Sequence, residues 1–147
     1  MIVLDTSALS RAMRRDSAVL AHASRHPPGQ LILTAPVAAE IWYGLERLPH
    51  TTKRRALLAA EFQRWRRVLR WQAWDEAAAE MFGRQKAYLE TRGQLIDDWD
   101  IAIGASALIQ GASVATCNPR HFSRLRGLEV LDWSTAPGRG KPSAELQ

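Results

Sequence analysis

The sequence has little cysteine and lacks long apolar runs, and each shortage excludes a class of protein. Its single cysteine, Cys117, excludes an internal disulfide and is typical of a reducing cytoplasm. No CxxC pair is present, which argues against a structural zinc site. The longest strongly apolar stretch, Ile101 to Ile109, is far too short to cross a bilayer, so we expect no membrane association. No basic region precedes the first apolar residues, so we expect no signal peptide and a cytoplasmic location.

Motifs that define several enzyme classes are also missing. A dinucleotide-binding fold carries GxGxxG after its first strand, and this chain does not. A phosphoaspartyl hydrolase needs a second Asp two residues after the first, where this chain has Ser7. No lysine stands at a late strand end, as a response-regulator receiver would require. The histidines show no acid–base pairing, which argues against metal-free cleavage of RNA.

The charge balance is basic, with 20 Lys and Arg against 15 Asp and Glu and a formal net charge of +5. A basic surface suits a polyanionic partner. Around an acidic pocket such as the one predicted below, it would let that partner approach a bound metal. The alternative is an Arg-rich surface that serves solubility only. The same two interpretations apply to the basic and aromatic stretches 53–55 and 64–71, which either hold RNA or form a solvated helix face.

Apolar runs alternate with helical patterns along the chain, which predicts an α/β fold with a central, mainly parallel sheet. The predicted strands are 2–5, 31–33, 113–117 and 129–131. The predicted helices are 7–14, 16–25, 36–48, 52–69, 75–92 and 98–109. We expect one domain over residues 1–133. Residues 134–147 are rich in Pro, Gly and Ser, which predicts a flexible C-terminal tail.

Four oxygen-bearing side chains stand next to apolar segments, where acids and amides are costly unless they are paired or bound to a cation. They are Asp5, Glu40, Asp100 and Asn118. Two stand at the ends of predicted strands and two lie on predicted helices, so they can meet at one edge of a parallel sheet. Hard oxygen ligands that converge on one point form a Mg2+ or Mn2+ site. The pattern therefore predicts a metal-dependent phosphodiesterase.

Each of these residues also has a plainer interpretation. Asp5 could cap the helix that follows it, and Asn118 could form an Asx turn. Glu40 borders the predicted apolar stripe of its helix and could reach solvent. Gly44, one turn after Glu40, is costly inside a helix by about 1 kcal/mol relative to Ala. It predicts the close approach of another backbone.

Three acids, Asp97, Asp98 and Asp100, crowd the start of a helix that is apolar on every face. The helix dipole favours acids in the first turn by about 0.3–1 kcal/mol each. That effect accounts for one or two acids, whereas the mutual repulsion of three requires a cation. We assign Asp97 or Asp98 to the helix cap and Asp100 to the metal.

The ordered set of motifs resembles the PIN-domain ribonucleases, in particular the VapC toxins of type II toxin–antitoxin modules. The similarity extends over about residues 1–133. The fourth family position is Asp in some members and Asn in others, and Asn118 occupies it here, with one negative charge fewer. The matching segments are 4–9, 40–44, 100–108, 115–118 with 121–122, and 127–128 with 132–133.

The resemblance implies a three-layer PIN-like fold and an endoribonuclease that hydrolyses RNA, often tRNA or rRNA, with Mg2+ or Mn2+. It also implies a homodimer and a cognate antitoxin protein. The catalytic positions of the family fall on Asp5, Glu40, Asp100 and Asn118. The metal ligands would be Asp5 and Asp100, with Glu40 bound partly through water and Asp98 as an accessory candidate. The supporting residues would be Thr6, Ser7 and Thr116.

A non-catalytic RNA-binding or regulatory protein with a relic site is the alternative function. The three intact acids argue against it, because a relic pocket has no reason to retain their repulsion. Trp42, Trp74 and Trp99 are interpreted as core or interface residues rather than as stacking platforms for bases. Gly104, where the family usually has Ala, is interpreted as a packing feature.

Overall fold

The computed structural model of the chain describes residues 1–138. One sheet is formed by five short strands: β1 (Ile2–Leu4), β2 (Leu31–Thr34), β3 (Arg70–Gln72), β4 (Ser113–Thr116) and β5 (Val130–Asp132). The helices are α1 (Thr6–Met13), α2 (Ser17–Ala23), α3 (Ala35–Glu46), α4 (Lys53–Val68), α5 (Glu76–Thr91), α6 (Asp98–Ile109) and α7 (Pro119–Phe122). A short 3-10 turn at Pro28–Gln30 leads into β2.

All neighbouring strands of the sheet are parallel, in the order β3-β2-β1-β4-β5. The chain therefore builds outward from β1 in one direction and then returns to build outward from β4 in the other. Ligands of such sheets bind in the crevice where the order reverses, at the carboxyl ends of the strands. Leu4 is in register with Ala115, so Asp5 and Thr116 leave neighbouring strands at the same level of this crevice.

Helices flank the sheet in a three-layer arrangement, which confirms the predicted fold class. The residues of β1 and β2 are all buried, as expected for strands covered on both faces. Helix α6 is buried from Ile101 to Ala107, as its apolar faces predicted, and α5 packs along it. On α3, Val37, Ile41 and Leu45 are buried, which is the predicted apolar stripe.

The prediction omitted β3 and α7. We placed Arg70 and Trp71 in a basic stretch, whereas they begin an edge strand in which Gln72 is the buried residue. No apolar run marks such a strand, so its pattern could not be recognised. Helix α7 begins at Pro119, directly after Asn118. It is only four residues long, which is too short for a helical pattern to reveal.

Two helix glycines have different surroundings. A Cβ on Gly44 would meet nothing within 4 Å, so the predicted close approach of another backbone is wrong. A Cβ on Gly104 would overlap the Leu125 side chain, which is itself buried. Gly104 is therefore a packing feature, because its missing side chain allows Leu125 to lie against α6.

The tryptophans are divided between core and surface. Trp42, Trp74 and Trp99 are 41%, 39% and 47% exposed, so the core alternative is wrong for them and the interface alternative stays a prediction. Trp133 is 2% exposed and stacks against His22, with ring centroids 5.2 Å apart.

The segment after Trp133 falls partly within the described region. The backbone oxygen of Thr135 lies 2.9 Å from His22 Nε2. Residues 139–147 of the predicted flexible tail lie outside the described residues. Among residues 1–138, no helix has the length and apolar character needed to span a membrane.

Candidate active site

Asp5 lies directly after β1 and is almost fully buried, with 5% of its surface exposed. It caps α1 by accepting a hydrogen bond from the backbone N–H of Ala8 at 2.7 Å. Its carboxylate also accepts from the hydroxyls of Ser7 at 2.8 Å and Thr116 at 2.6 Å. Burial raises the pKa of Asp5, because desolvation outweighs these hydrogen bonds, and the charge of Asp100 acts in the same direction. Asp5 is thus both a helix cap and a carboxyl group whose charged form is disfavoured by burial.

Glu40 extends from α3 toward the start of α1. Its Oε1 accepts a hydrogen bond of 2.7 Å from the Thr6 hydroxyl, which links two helices that are distant in the sequence. Burial raises the pKa of Glu40, and the negative charges of Asp100, Asp97 and Asp5 raise it further. The Glu40 carboxylate therefore lies within the field of the other acids rather than in bulk solvent.

The three acids at the start of α6 have separate surroundings. Asp97 is the helix cap and accepts from the backbone N–H of Trp99 at 2.9 Å. Asp98 is exposed and pairs with Lys86 at 3.0 Å. Asp100 is partly buried, and its Oδ2 lies 3.0 Å from Nδ1 of His121. Among these three, Asp100 is the acid that lines a cavity together with Asp5 and Glu40.

The segment after β4 completes the site. The backbone N–H of Asn118 donates to the Thr116 hydroxyl at 2.9 Å, and that of Cys117 donates to the Ser7 hydroxyl at 3.0 Å. Ser7 and Thr116 thus connect the turn after β4 to the Asp5 carboxylate. Asn118 is exposed and lines the same cavity. The structure therefore brings the four sequence-predicted positions and their hydroxyl neighbours to the switch point of the sheet.

The cavity has a volume of about 280 Å³, and its lining contains three carboxylates and no Lys or Arg within the part of the chain that the structure describes. Across residues 1–138, no group of three or more His, Cys, Asp or Glu side chains stands close enough together to hold a metal ion by itself. The acids instead surround an open space. This suits a cation such as Mg2+, which keeps several waters and takes only a few carboxylate ligands. The lining residues are Asp5, Thr6, Ser7, Ser10, Glu40, Asp100, Asn118 and Phe122.

The contact between His121 and Asp100 was missed by the sequence reasoning. The two residues are 21 positions apart and lie on different helices, so no spacing rule connects them. The lining residues Ser10 and Phe122 were also missed, since neither carries the charge that drew attention to the acids.

Several basic side chains of the predicted RNA-binding stretches have partners within the chain. Arg55 pairs with Glu46 at 3.0 Å, and Arg64 pairs with Glu61 at 3.0 Å. Arg66 lies over the Trp42 ring at 5.1 Å from its centroid. Arg64 and Arg66 are exposed, which favours the solvated-face interpretation for them, whereas the Arg55 side chain is mostly covered. Contact of these arginines with RNA stays a prediction.

Known structures share this fold. The complex of VapBC2 from Rickettsia felis with a promoter DNA fragment contains a chain with a TM-score of 0.81 and 20% identity, and the match covers 90% of this protein and 99% of that chain. FitAcB from Neisseria gonorrhoeae contains one with a TM-score of 0.81 and 24% identity, covering 91% and 99% respectively.

Known sequences match over similar lengths. Ribonuclease VapC2 from Haemophilus influenzae is 27% identical over 131 residues, which is 89% of this chain and 96% of the relative. The tRNA(fMet)-specific endonuclease VapC from Shigella flexneri is 29% identical over 106 residues, which is 72% of this chain and 77% of the relative. The PIN domain family matches residues 2–128. Because that match spans most of the chain and coincides with the parallel sheet and its acidic crevice, the protein belongs to the PIN-domain family.

Proposed function

We propose that the protein is the toxin of a toxin–antitoxin module and a metal-dependent endoribonuclease that hydrolyses phosphodiester bonds of RNA. One observation carries the proposal: Asp5, Glu40 and Asp100 line one cavity whose described lining has no basic side chain. Such a cluster is unfavourable unless a cation enters it. The similarity to ribonucleases of the VapC group supports RNA as the substrate.

The donor set fits a divalent cation with oxygen preference, namely Mg2+ or Mn2+. Asp5 and Asp100 would bind it directly, and Glu40 would bind it partly through water. Asn118 would add a neutral oxygen. When bound, the cation makes water more acidic and offsets negative charge on the phosphate.

The residues of the chain itself hold the carboxylates in place. Ser7, Thr116 and the backbone of Ala8 fix both oxygens of Asp5, and Thr6 fixes one oxygen of Glu40. These donors restrict the rotation of the carboxylates, so little ordering is required when a cation binds. The raised pKa values of Asp5 and Glu40 express the cost of their charges, which a cation would offset.

We also propose a cognate antitoxin, a homodimer and a cytoplasmic location. The VapBC and FitAB assemblies among the structures with this fold support the antitoxin. A planar guanidinium pairs bidentately with carboxylates, so an antitoxin arginine would fit among Asp5, Glu40 and Asp100 and exclude the metal.

Cleavage of RNA by the purified full-length protein tests the enzymatic part of the proposal. We expect cleavage with Mg2+ or Mn2+, no cleavage in excess EDTA, and recovery when the cation is added back. Asp100→Asn, purified in parallel, controls for a contaminating nuclease. Undiminished cleavage in EDTA would exclude the metal mechanism. An absence of RNA cleavage under all metal conditions would favour a non-catalytic RNA-binding protein.

A further inference from the structure

Asp100 has a hydrogen-bond partner that the proposed function does not use. Within residues 1–138, His121 is the residue whose side chain bonds to the Asp100 carboxylate, through Nδ1 and Oδ2 at 3.0 Å. His121 is not among the residues that line the acidic cavity, so it touches the site through Asp100. We propose that His121 is a positioning residue that holds Asp100 in the orientation needed for cation binding. This inference rests on the proposed function.

The fold brings His121 to Asp100 through the packing of α7 against α6. Phe122, the next residue, is 2% exposed and anchors α7 in the core. Leu125 lies against α6 at Gly104, where any larger residue would obstruct it. Gly104 is one helical turn after Asp100 and lies on the same face. The packing at Gly104 therefore draws the segment that carries His121 onto the face that carries Asp100.

The chemistry of the contact determines which group donates. An ionised carboxylate can only accept hydrogen bonds, so Nδ1 of His121 carries the proton. The bond uses Oδ2 of Asp100. In the described region, Oδ1 of Asp100 has no hydrogen-bond donor, so this oxygen remains for a cation.

The same arrangement occurs at the other two acids of the cavity. Glu40 receives one hydroxyl hydrogen bond from Thr6, and Asp5 receives two, from Ser7 and Thr116. Each carboxylate of the cluster is thus oriented by a donor outside its own helical turn or strand. His121 completes this set for Asp100, and loss of such a partner typically weakens metal affinity by about 10–100-fold.

Binding of Mn2+ to the full-length protein, measured by titration calorimetry after removal of metal, tests the inference. We expect His121→Ala to weaken Mn2+ binding by about 10–100-fold. We expect His121→Asn to bind within a few-fold of the unaltered protein, because the Asn amide nitrogen is the same number of bonds from Cα as Nδ1. His50→Ala is the matched control, since His50 is an exposed turn residue, and it should change nothing.

Each outcome separates the positioning role from the proposed function. If the unaltered protein binds no Mn2+, the metal mechanism fails, and this role fails with it. If it binds Mn2+ and His121→Ala binds equally well, the positioning role alone is overturned. Equal losses in His121→Ala and His121→Asn would also overturn it, because retention of the donor would then have no effect. Thermal melts and 15N spectra of the metal-free variants establish that they are folded. In the unaltered protein, we expect the 15N spectrum to show a proton on Nδ1 of His121.

Discussion

The Thr116 hydroxyl donates a hydrogen bond of 2.6 Å to Oδ2 of Asp5 across 111 residues of sequence. Thr116 is the last residue of β4 and Asp5 directly follows β1, the neighbouring strand of the sheet, and both residues are buried. The bond joins the two strand ends at the point where the strand order reverses. It also lowers the pKa of Asp5, although burial still raises that pKa overall.

Thr116→Val is expected to lower the free energy of unfolding of the metal-free protein by about 1–3 kcal/mol, because it leaves buried polar groups without a partner. The Asp5 carboxylate loses a donor, and the N–H of Asn118 loses its acceptor. Thr116→Ser keeps the hydroxyl and should retain most of the stability. Urea unfolding of the two variants measures the difference. Equal stabilities for Val and Ser at this position would contradict the assigned role of the hydroxyl.

Asp5→Asn is expected to abolish RNA cleavage while leaving the metal-free protein at neutral pH at least as stable. Burial raises the pKa of Asp5 above its ordinary value of 3.8, so the folded state favours the protonated form. The stability that this preference contributes is present below pH 3.8 and is lost as the pH rises through the folded-state pKa. The gain from Asp5→Asn should therefore be largest at neutral pH and shrink toward acid pH. Unfolding curves over this pH range, without metal, would show a constant difference if Asp5 were ordinary.

Asp100→Asn and Asp98→Asn should differ sharply in activity. Asp100 lines the cavity, whereas Asp98 is exposed and pairs with Lys86. We expect Asp100→Asn to abolish cleavage and Asp98→Asn to retain most of it, since an exposed ion pair contributes little. Initial rates with the same RNA at saturating Mg2+ provide the comparison. Substantial activity in Asp100→Asn together with loss in Asp98→Asn would assign the metal to the other acid.

The sequence predicted the positions of the acids because strand ends and helix starts are local features. Asp5 and Asn118 follow apolar runs, and parallel strands place such ends at one edge. The distinction between Asp97 and Asp98 required the cap geometry, because both stood at the right place in the sequence. Which of three closely spaced acids points into the site is therefore harder to predict than the existence of the site.

The contacts between distant segments could not be predicted in this way. Strand β3 is an edge strand with one buried polar residue, so neither an apolar run nor an apolar alternation reveals it. The bond from His121 to Asp100 depends on how α7 packs against α6. That packing depends on Gly104 and Leu125, whose fit is visible only in three dimensions.

Gly104→Ala and Gly83→Ala should have opposite effects on stability. Both glycines lie inside helices, where Ala is favoured by about 1 kcal/mol. A Cβ at Gly83 meets nothing within 4 Å, so we expect Gly83→Ala to stabilise the protein by roughly that amount. A Cβ at Gly104 overlaps Leu125, and overpacking typically costs about 1–3 kcal/mol. Urea unfolding of both variants measures the effect, and a stabilised Gly104→Ala variant would show that Leu125 moves at no cost.

Expression of the chain alone is expected to arrest bacterial growth, and co-expression with the small open reading frame adjacent to its gene should relieve the arrest. An active ribonuclease harms its host unless a partner blocks the acidic cavity, as in the proposed function. The matched control is Asp100→Asn, which should not arrest growth although it is expressed at the same level.

Replacing arginines of the copurified partner one at a time by Lys should identify one whose loss restores cleavage, because Lys lacks the planar fork that pairs with two carboxylate oxygens. If the chain alone causes no arrest and no neighbouring product copurifies with it, the toxin assignment fails. The nuclease assignment would then depend on the EDTA experiment alone.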